Sequence, residues 1–284
     1  MKRITHYLPI AGNNIRRWST NPRLYILAIL LLILMWSYID PILQFSKAMG
    51  YRVAPWIFPF LTNFPMTQRL LMLGIVFLFC DAPFAHEGQP YLMIRSGRMH
   101  WASGQVLYIM AGTAIYLLFI IFASMLLLAP SMYLNTGWGK ILGTLAQTNA
   151  GQSFHIQLPI SYKIQVLYEP VQALGLSFFL EWCAGVILGL AMFITNLFFK
   201  RALGAIVASA IILLDIFIPY NITDYAYHFS PISLARLGLL DSSGMSLYPT
   251  PAYACTFLTV TVVGLSIIAI LSVRKREIQI SPPI

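Results

Sequence analysis

Residues 24–42 read LYILAILLLILMWSYIDPI, nineteen residues with a single charge, Asp40. Crossing a hydrocarbon core of about 30 Å takes roughly 20 helical residues at about 1.5 Å each. Such a stretch suits lipid better than a soluble core, and in lipid its backbone groups must be satisfied internally, which a helix does within one segment. Windows of the same kind recur at 67–85, 105–129, 171–199, 202–220 and 252–273. The expectation is an all-α integral membrane protein with six transmembrane helices. The composition agrees, with 10% of residues charged where a soluble domain has about 25%. The window at 67–85 is the shortest on apolar grounds, because Gln68, Arg69 and Asp81 lie near its ends and Pro83 is placed to close it.

The net charge of +9 does not point to nucleic acid, because the basic residues stand in twos and threes at the ends of the apolar windows. Lys2, Arg3, Arg16, Arg17 and Arg23 precede the first window, Arg95 and Arg98 follow the second, Lys200 and Arg201 follow the fourth, and Arg274, Lys275 and Arg276 follow the sixth. The opposite side has Lys47, Arg52, Arg69, Lys140, Lys163 and Arg236. Twelve against six puts both termini in the cytoplasm. With five basic residues and no apolar core, the first 23 residues are expected to stay attached as a cytoplasmic interfacial segment, 1–23, before a single six-span membrane domain, 24–284. Cys80, Cys183 and Cys255 lie in or beside apolar windows, with no CxxC pair, and read as small hydrophobes.

The loops carry their own signals. WIFPFLTNFP, 56–65, is aromatic and apolar and reads as an interfacial segment at the outer face. Residues 135–160 are the most polar stretch, with a short helix expected at 140–146. In SPISLARLGLL, 230–240, Ser230 caps Pro231 at a first helical position and Gly238 is placed to end the helix. Asn21 and Pro22 open the first span by the same logic, whereas Pro9 and Gly12 should interrupt RITHYLPIAGNNIRRW, the interfacial segment with Arg16, Arg17 and Trp18. Gly185 and Gly189 form GxxxG, which allows close approach either of another helix of this chain or of a second copy.

No catalytic motif is legible. The nearest approach to a phosphate loop, at Gly139-Lys140, has Leu134 where the first glycine belongs and Ile141 where Ser or Thr would hold magnesium. HExxH, GxSxG and metal-spaced Cys/His pairs do not occur. The expectation is a chain that is not an enzyme and carries no cofactor of its own. Four acids fall within the windows: Asp40, Glu181 and Asp215 toward the outer ends, Asp81 toward the inner end of its own. Intramembrane charge is expensive and calls for a role. With no basic partner evident at the centre of a span, helix capping, helix-to-helix hydrogen bonding, substrate contact and proton relay all remain open for these four.

QPYLMIRSGRMHW, 89–101, lies on the cytoplasmic side between the second and third spans. Pro90 at a first helical position and Gly97 as a left-handed terminus bound a two-turn helix, with Tyr91, Ile94 and Arg95 on one face. Through DAPF at 81–84, YLMIRSGRMHW at 91–101, the basic interfacial N-terminus and the six-span layout, the chain resembles the permease subunits of ATP-binding-cassette exporters of the second type. The resemblance covers essentially the whole length and implies a fold, a function and partners. Helix 90–97 would be the coupling helix, with Pro90, Tyr91, Ile94, Arg95 and Arg98 seated on a separate ATPase subunit, present in two copies. That subunit would bind ATP and magnesium. The N-terminal segment would be the connecting helix and 230–240 the outer re-entrant element. A second permease chain, identical or homologous, would complete a path lined by spans one, two and five. The setting would be a bacterial plasma membrane, with lipid around the chain, and the cargo an amphipathic peptide antibiotic, drug or lipid-like compound. The competing expectations are an ion- or proton-coupled carrier working through Glu181 and Asp215, and a membrane anchor that transports nothing.

Overall fold

The computed structural model describes residues 7–83, 93, 96–199, 201–221 and 224–274, which are helical with connecting turns and form no strand beyond an isolated bridge between Val53 and Met132. The first helix, α1 (Tyr7–Arg16), runs unbroken into a 3-10 turn at Arg17–Thr20. The expected interruption does not occur: Pro9 falls in the first turn, where an amide has no intrahelical acceptor to lose, and a side chain at Gly12 would meet only open space. Asn21 then caps α2 (Pro22–Met49), its Oδ1 accepting from the Arg23 amide at 3.1 Å. This helix passes through Pro41 and ends at Gly50, at φ +69°, one to two turns beyond the expected limit.

Phe64 is extended because a residue before proline is crowded out of the helical region, and it separates α3 (Phe58–Asn63) from α4 (Pro65–Phe79). Within the aromatic stretch Phe58, Pro59, Phe60, Leu61 and Thr62 are all buried against the rest of the chain. The long helix α5 (Arg98–Leu128) starts immediately after Gly97, whose φ of +85° and ψ of 150° belong to glycine alone. A cap of short helices follows, α6 (Gly139–Gln147) and α7 (Tyr162–Leu167). The chain then enters α8 (Pro170–Phe198) and α9 (Arg201–Asn221). One turn, α10 (Pro231–Leu234), precedes the last helix, α11 (Pro251–Arg274). Ser230 caps α10 as expected, accepting from Ser233 at 3.2 Å, but the helix stops at Leu234. Gly238 has another task, since its amide donates to Asn63 Oδ1 at 2.8 Å with no room for a side chain.

Among the described residues four helices are long and apolar enough to cross a membrane: Pro22–Met49, Arg98–Ser131, Pro170–Phe198 and Pro251–Val273. Pro65–Phe79 and Leu203–Pro219 are apolar but shorter. By these helices the chain is a multi-pass membrane protein. Its hub is α8, whose most apolar window is 67% buried against 22% for the last helix. It packs on α4, α5, α9 and α11. The GxxxG pair explains that position. A Cβ at Gly185 would come within 2.5 Å of Ile75 and 2.7 Å of Thr113, and one at Gly189 within 2.6 Å of Ile109. The two glycines therefore serve close packing inside this chain, against α4 and α5.

Contacts sort the helix ends into two groups. At one end Tyr133 and Ser131 pair with Val53, Lys163 donates to the Gly238 and Leu240 carbonyls at 3.0 and 2.7 Å, and Trp138 donates to the Tyr168 carbonyl at 3.1 Å. At the other, Asn196 accepts from the Gly204 amide at 2.7 Å and donates to the Ala82 carbonyl at 2.9 Å, joining the α8–α9 corner to the turn after α4.

Candidate functional sites at the two ends of the bundle

At the end that carries α1, that helix lies along the start of α5 and meets it once per turn. Ile10 sits against Gly104, where a Cβ would be 2.8 Å from the isoleucine side chain. One turn on, Asn14 Nδ2 donates to Gln105 Oε1 at 2.7 Å with both side chains buried. A further turn on, Trp18 Nε1 donates to the Tyr108 hydroxyl at 2.9 Å, and the rings meet edge to face. Tyr108 also meets Phe79 edge to face at 5.8 Å, and Trp101 rests on Phe193 of α8 at 6.2 Å. The amphipathic N-terminal segment is thus bolted to the base of α5 by one apolar contact, one buried hydrogen bond and one part-buried one. Arg16 and Arg17 face outward beside the half-buried Trp18.

Of the residues expected to contact an ATPase, Pro90, Tyr91, Ile94 and Arg95 lie outside the described residues. Arg98 is the exposed first residue of α5. Next to it, Met93 and Ser96 are helical, and the Gly97 amide donates to the Met93 carbonyl at 2.9 Å before the backbone turns away.

Asp81 lies at the same end and forms a bidentate contact with Arg23, at 2.7 and 2.8 Å, with both side chains about half exposed. An exposed pair of this kind contributes less than about 1 kcal/mol. It ties the start of α2 to the end of α4. Asp40 accepts from Gln44 one turn later at 2.7 Å. Neither acid is in the interior.

Glu181 and Asp215 are, and the absence of a basic partner expected from the sequence is corrected here. Asp215 receives Arg69 through Nε at 3.1 Å and Nη2 at 3.0 Å on one oxygen, and Arg236 through Nη2 at 2.6 Å on the other. The Ser233 hydroxyl, and that of Ser230 at 3.3 Å, complete the second oxygen. Arg69 is 146 residues away along the chain and Arg236 is 21. In the sequence both looked like charges that only set orientation. Glu181 accepts from Gln68 Nε2 at 2.8 Å, and the same amide donates to the Ile232 carbonyl at 2.9 Å. The turn α10 therefore stands between the two acids, its carbonyl held on Glu181's side and its serine on Asp215's.

Several buried polar atoms around this cluster have no hydrogen-bond partner among the described residues: Gln68 Oε1, Arg236 Nε, Thr67 Oγ1 beside Gln68, and Ser177 Oγ one turn before Glu181. Buried polar atoms are normally satisfied, so the cluster has spare bonding capacity for water or for a rearranged partner. No three of His, Cys, Asp and Glu come together as a metal site among the described residues. No protein-family model matches the chain, and no curated protein or solved structure matches it.

Proposed function

We propose that the chain is the transmembrane permease subunit of an exporter of the second ATP-binding-cassette type. In this reading it has six spans with both termini cytoplasmic and moves an amphipathic or hydrophobic compound outward. Separate ATPase subunits, two copies, bind ATP and magnesium. A second permease chain, identical or homologous, completes the path. The observation that carries the reading is the joint at the base of α5. An amphipathic helix and a glycine break are fastened to one long helix, at the place where a chain without a nucleotide site would have to receive motion. Two helices locked by a buried Asn14–Gln105 bond and a Trp18–Tyr108 bond move as a rigid body.

Within this reading the buried cluster is structural. Both oxygens of Asp215 are engaged by arginines and serines, which leaves it poorly placed as a proton relay and weakens the carrier alternative. The test is purification from native membrane. A soluble ATPase is expected to come down with the intact chain, and to be lost from Arg95→Glu and from Tyr91→Asp with Ile94→Asp, while the membrane domain keeps its thermal stability. Recovery of the ATPase at wild-type levels from both variants would sink the coupling assignment. Transport by the purified chain alone under an imposed pH gradient would favour the carrier.

A further inference from the structure

Two cavities join beside Trp18. The larger, about 200 Å³, lies between α2 and α5 and is almost wholly apolar, with Leu27, Leu31, Leu78, Ile115 and Phe119 among its walls. The smaller, about 50 Å³, continues it toward the end of the bundle that carries α1 and is mostly polar, with Asn14, Arg17, Asn21 and Asp81 around it. Trp18, Leu24 and Leu78 line both. From Leu24 to Leu31 the apolar part follows about 10 Å of helix.

We propose that this continuous groove binds one molecule of anionic phospholipid, an acyl chain lying between α2 and α5 and the phosphate meeting Arg17 at the polar mouth. The charge at the mouth selects the occupant. Arg17 lines the mouth together with Asp81, whose carboxylate is already bonded to Arg23 at 2.7 Å. A phosphate there would accept charge-assisted hydrogen bonds from the Arg17 guanidinium, which a neutral amphiphile cannot match. The Trp18 ring sits where chain and headgroup meet, its N–H held by Tyr108 and its face left to the groove wall. An indole suits a level that is apolar on one side and polar on the other. The inference requires only that the chain is embedded in a bilayer. It stands or falls separately from the exporter reading.

Quenching of tryptophan fluorescence by brominated acyl chains tests it on the full chain in liposomes of equal phosphatidylglycerol and phosphatidylcholine content. The bromine is carried by one lipid or by the other, so the surface charge never changes. Subtracting the Trp18→Phe signal isolates Trp18 from Trp36, which is exposed on α2 and reports the surrounding lipid. The Trp18 component is expected to be quenched about fivefold more by the brominated phosphatidylglycerol, the selectivity one arginine gives near an anionic surface. Arg17→Gln, an exposed position, should remove that preference. Ala28→Phe, which fills the groove, should reduce quenching by both lipids while Trp36 is unaffected. Equal quenching of wild-type Trp18 by the two lipids overturns the proposal, as does a preference that survives both substitutions.

Discussion

Replacing Asp215 by alanine would leave the guanidinium groups of Arg69 and Arg236 without their shared acceptor, and breaking a buried ion pair in this way costs about 3–5 kcal/mol. Glu181→Gln should cost less than about 1.5 kcal/mol, because an amide oxygen can still accept from Gln68 and only one net hydrogen bond is at stake. Unfolding titrations of the two variants in the same detergent check that order, and an equal or larger loss for Glu181→Gln would contradict the cluster's geometry. Asp241, between α10 and α11, gives a pH dependence. Ser246 and Ser243 donate to it from both hydroxyl and amide, at 2.7 to 3.0 Å, and hold its carboxyl well below the usual carboxylate range. A group whose folded pKa is depressed adds stability above its unfolded value, about 3.9, and loses it as pH falls toward the folded one. Asp241→Asn is therefore expected to speed backbone hydrogen exchange across 241–248 near pH 7. The difference from wild type should shrink below about pH 4, and a difference that grows on acidification would refute the assignment. Asp215 and Glu181 were legible in the sequence as anomalies. Arg69 and Arg236 were not legible as their partners, because a charge near the end of an apolar window reads the same whether it meets headgroups or a neighbour.

Helix starts were the most readable elements. Asn21-Pro22 and Ser230-Pro231 are local signals, satisfied by bonds spanning two or three residues. Helix ends were not: α10 stops at Leu234, and Gly238, expected to end it, is taken up by Asn63, 175 residues away. GxxxG gave the need for close approach without the partner. Placing leucine at Gly185 would drive a side chain into Ile75 and Thr113 and is expected to cost about 1–3 kcal/mol. Gly104→Leu should instead lift α1 off α5 at Ile10, seen as a red shift of Trp18 emission with α8 packing intact. An unchanged Trp18 environment in that variant would show that α1 is not seated as described.

For the whole molecule, the proposed layout of six spans with both termini inside is tested by cysteine accessibility. In a background lacking Cys80, Cys183 and Cys255, a probe at Ser153 is expected to react with impermeant reagent from outside, and probes at Ser19 and Ser103 only after permeabilisation. Outside labelling at Ser19 would invert the scheme and remove the basis for a cytoplasmic joint. The joint as a unit belongs to this scale, since neither α1 nor the base of α5 announces the other. Their match at Ile10–Gly104, Asn14–Gln105 and Trp18–Tyr108 spans about ninety residues.

What the sequence determined by itself was the class, helices and a membrane, and where most of the apolar helices begin, the helix after Gly97 starting at Arg98, about two turns before the expected 105. Those depend on transfer of apolar side chains and on backbone bonds within a few residues, both of which are local and additive along the chain. What only the tertiary structure decided was which helix is the hub, which charges are paired, and that the aromatic stretch after α2 is buried. Those depend on which surfaces meet, and in a chain where nearly every surface is apolar, hydropathy gives them all the same score.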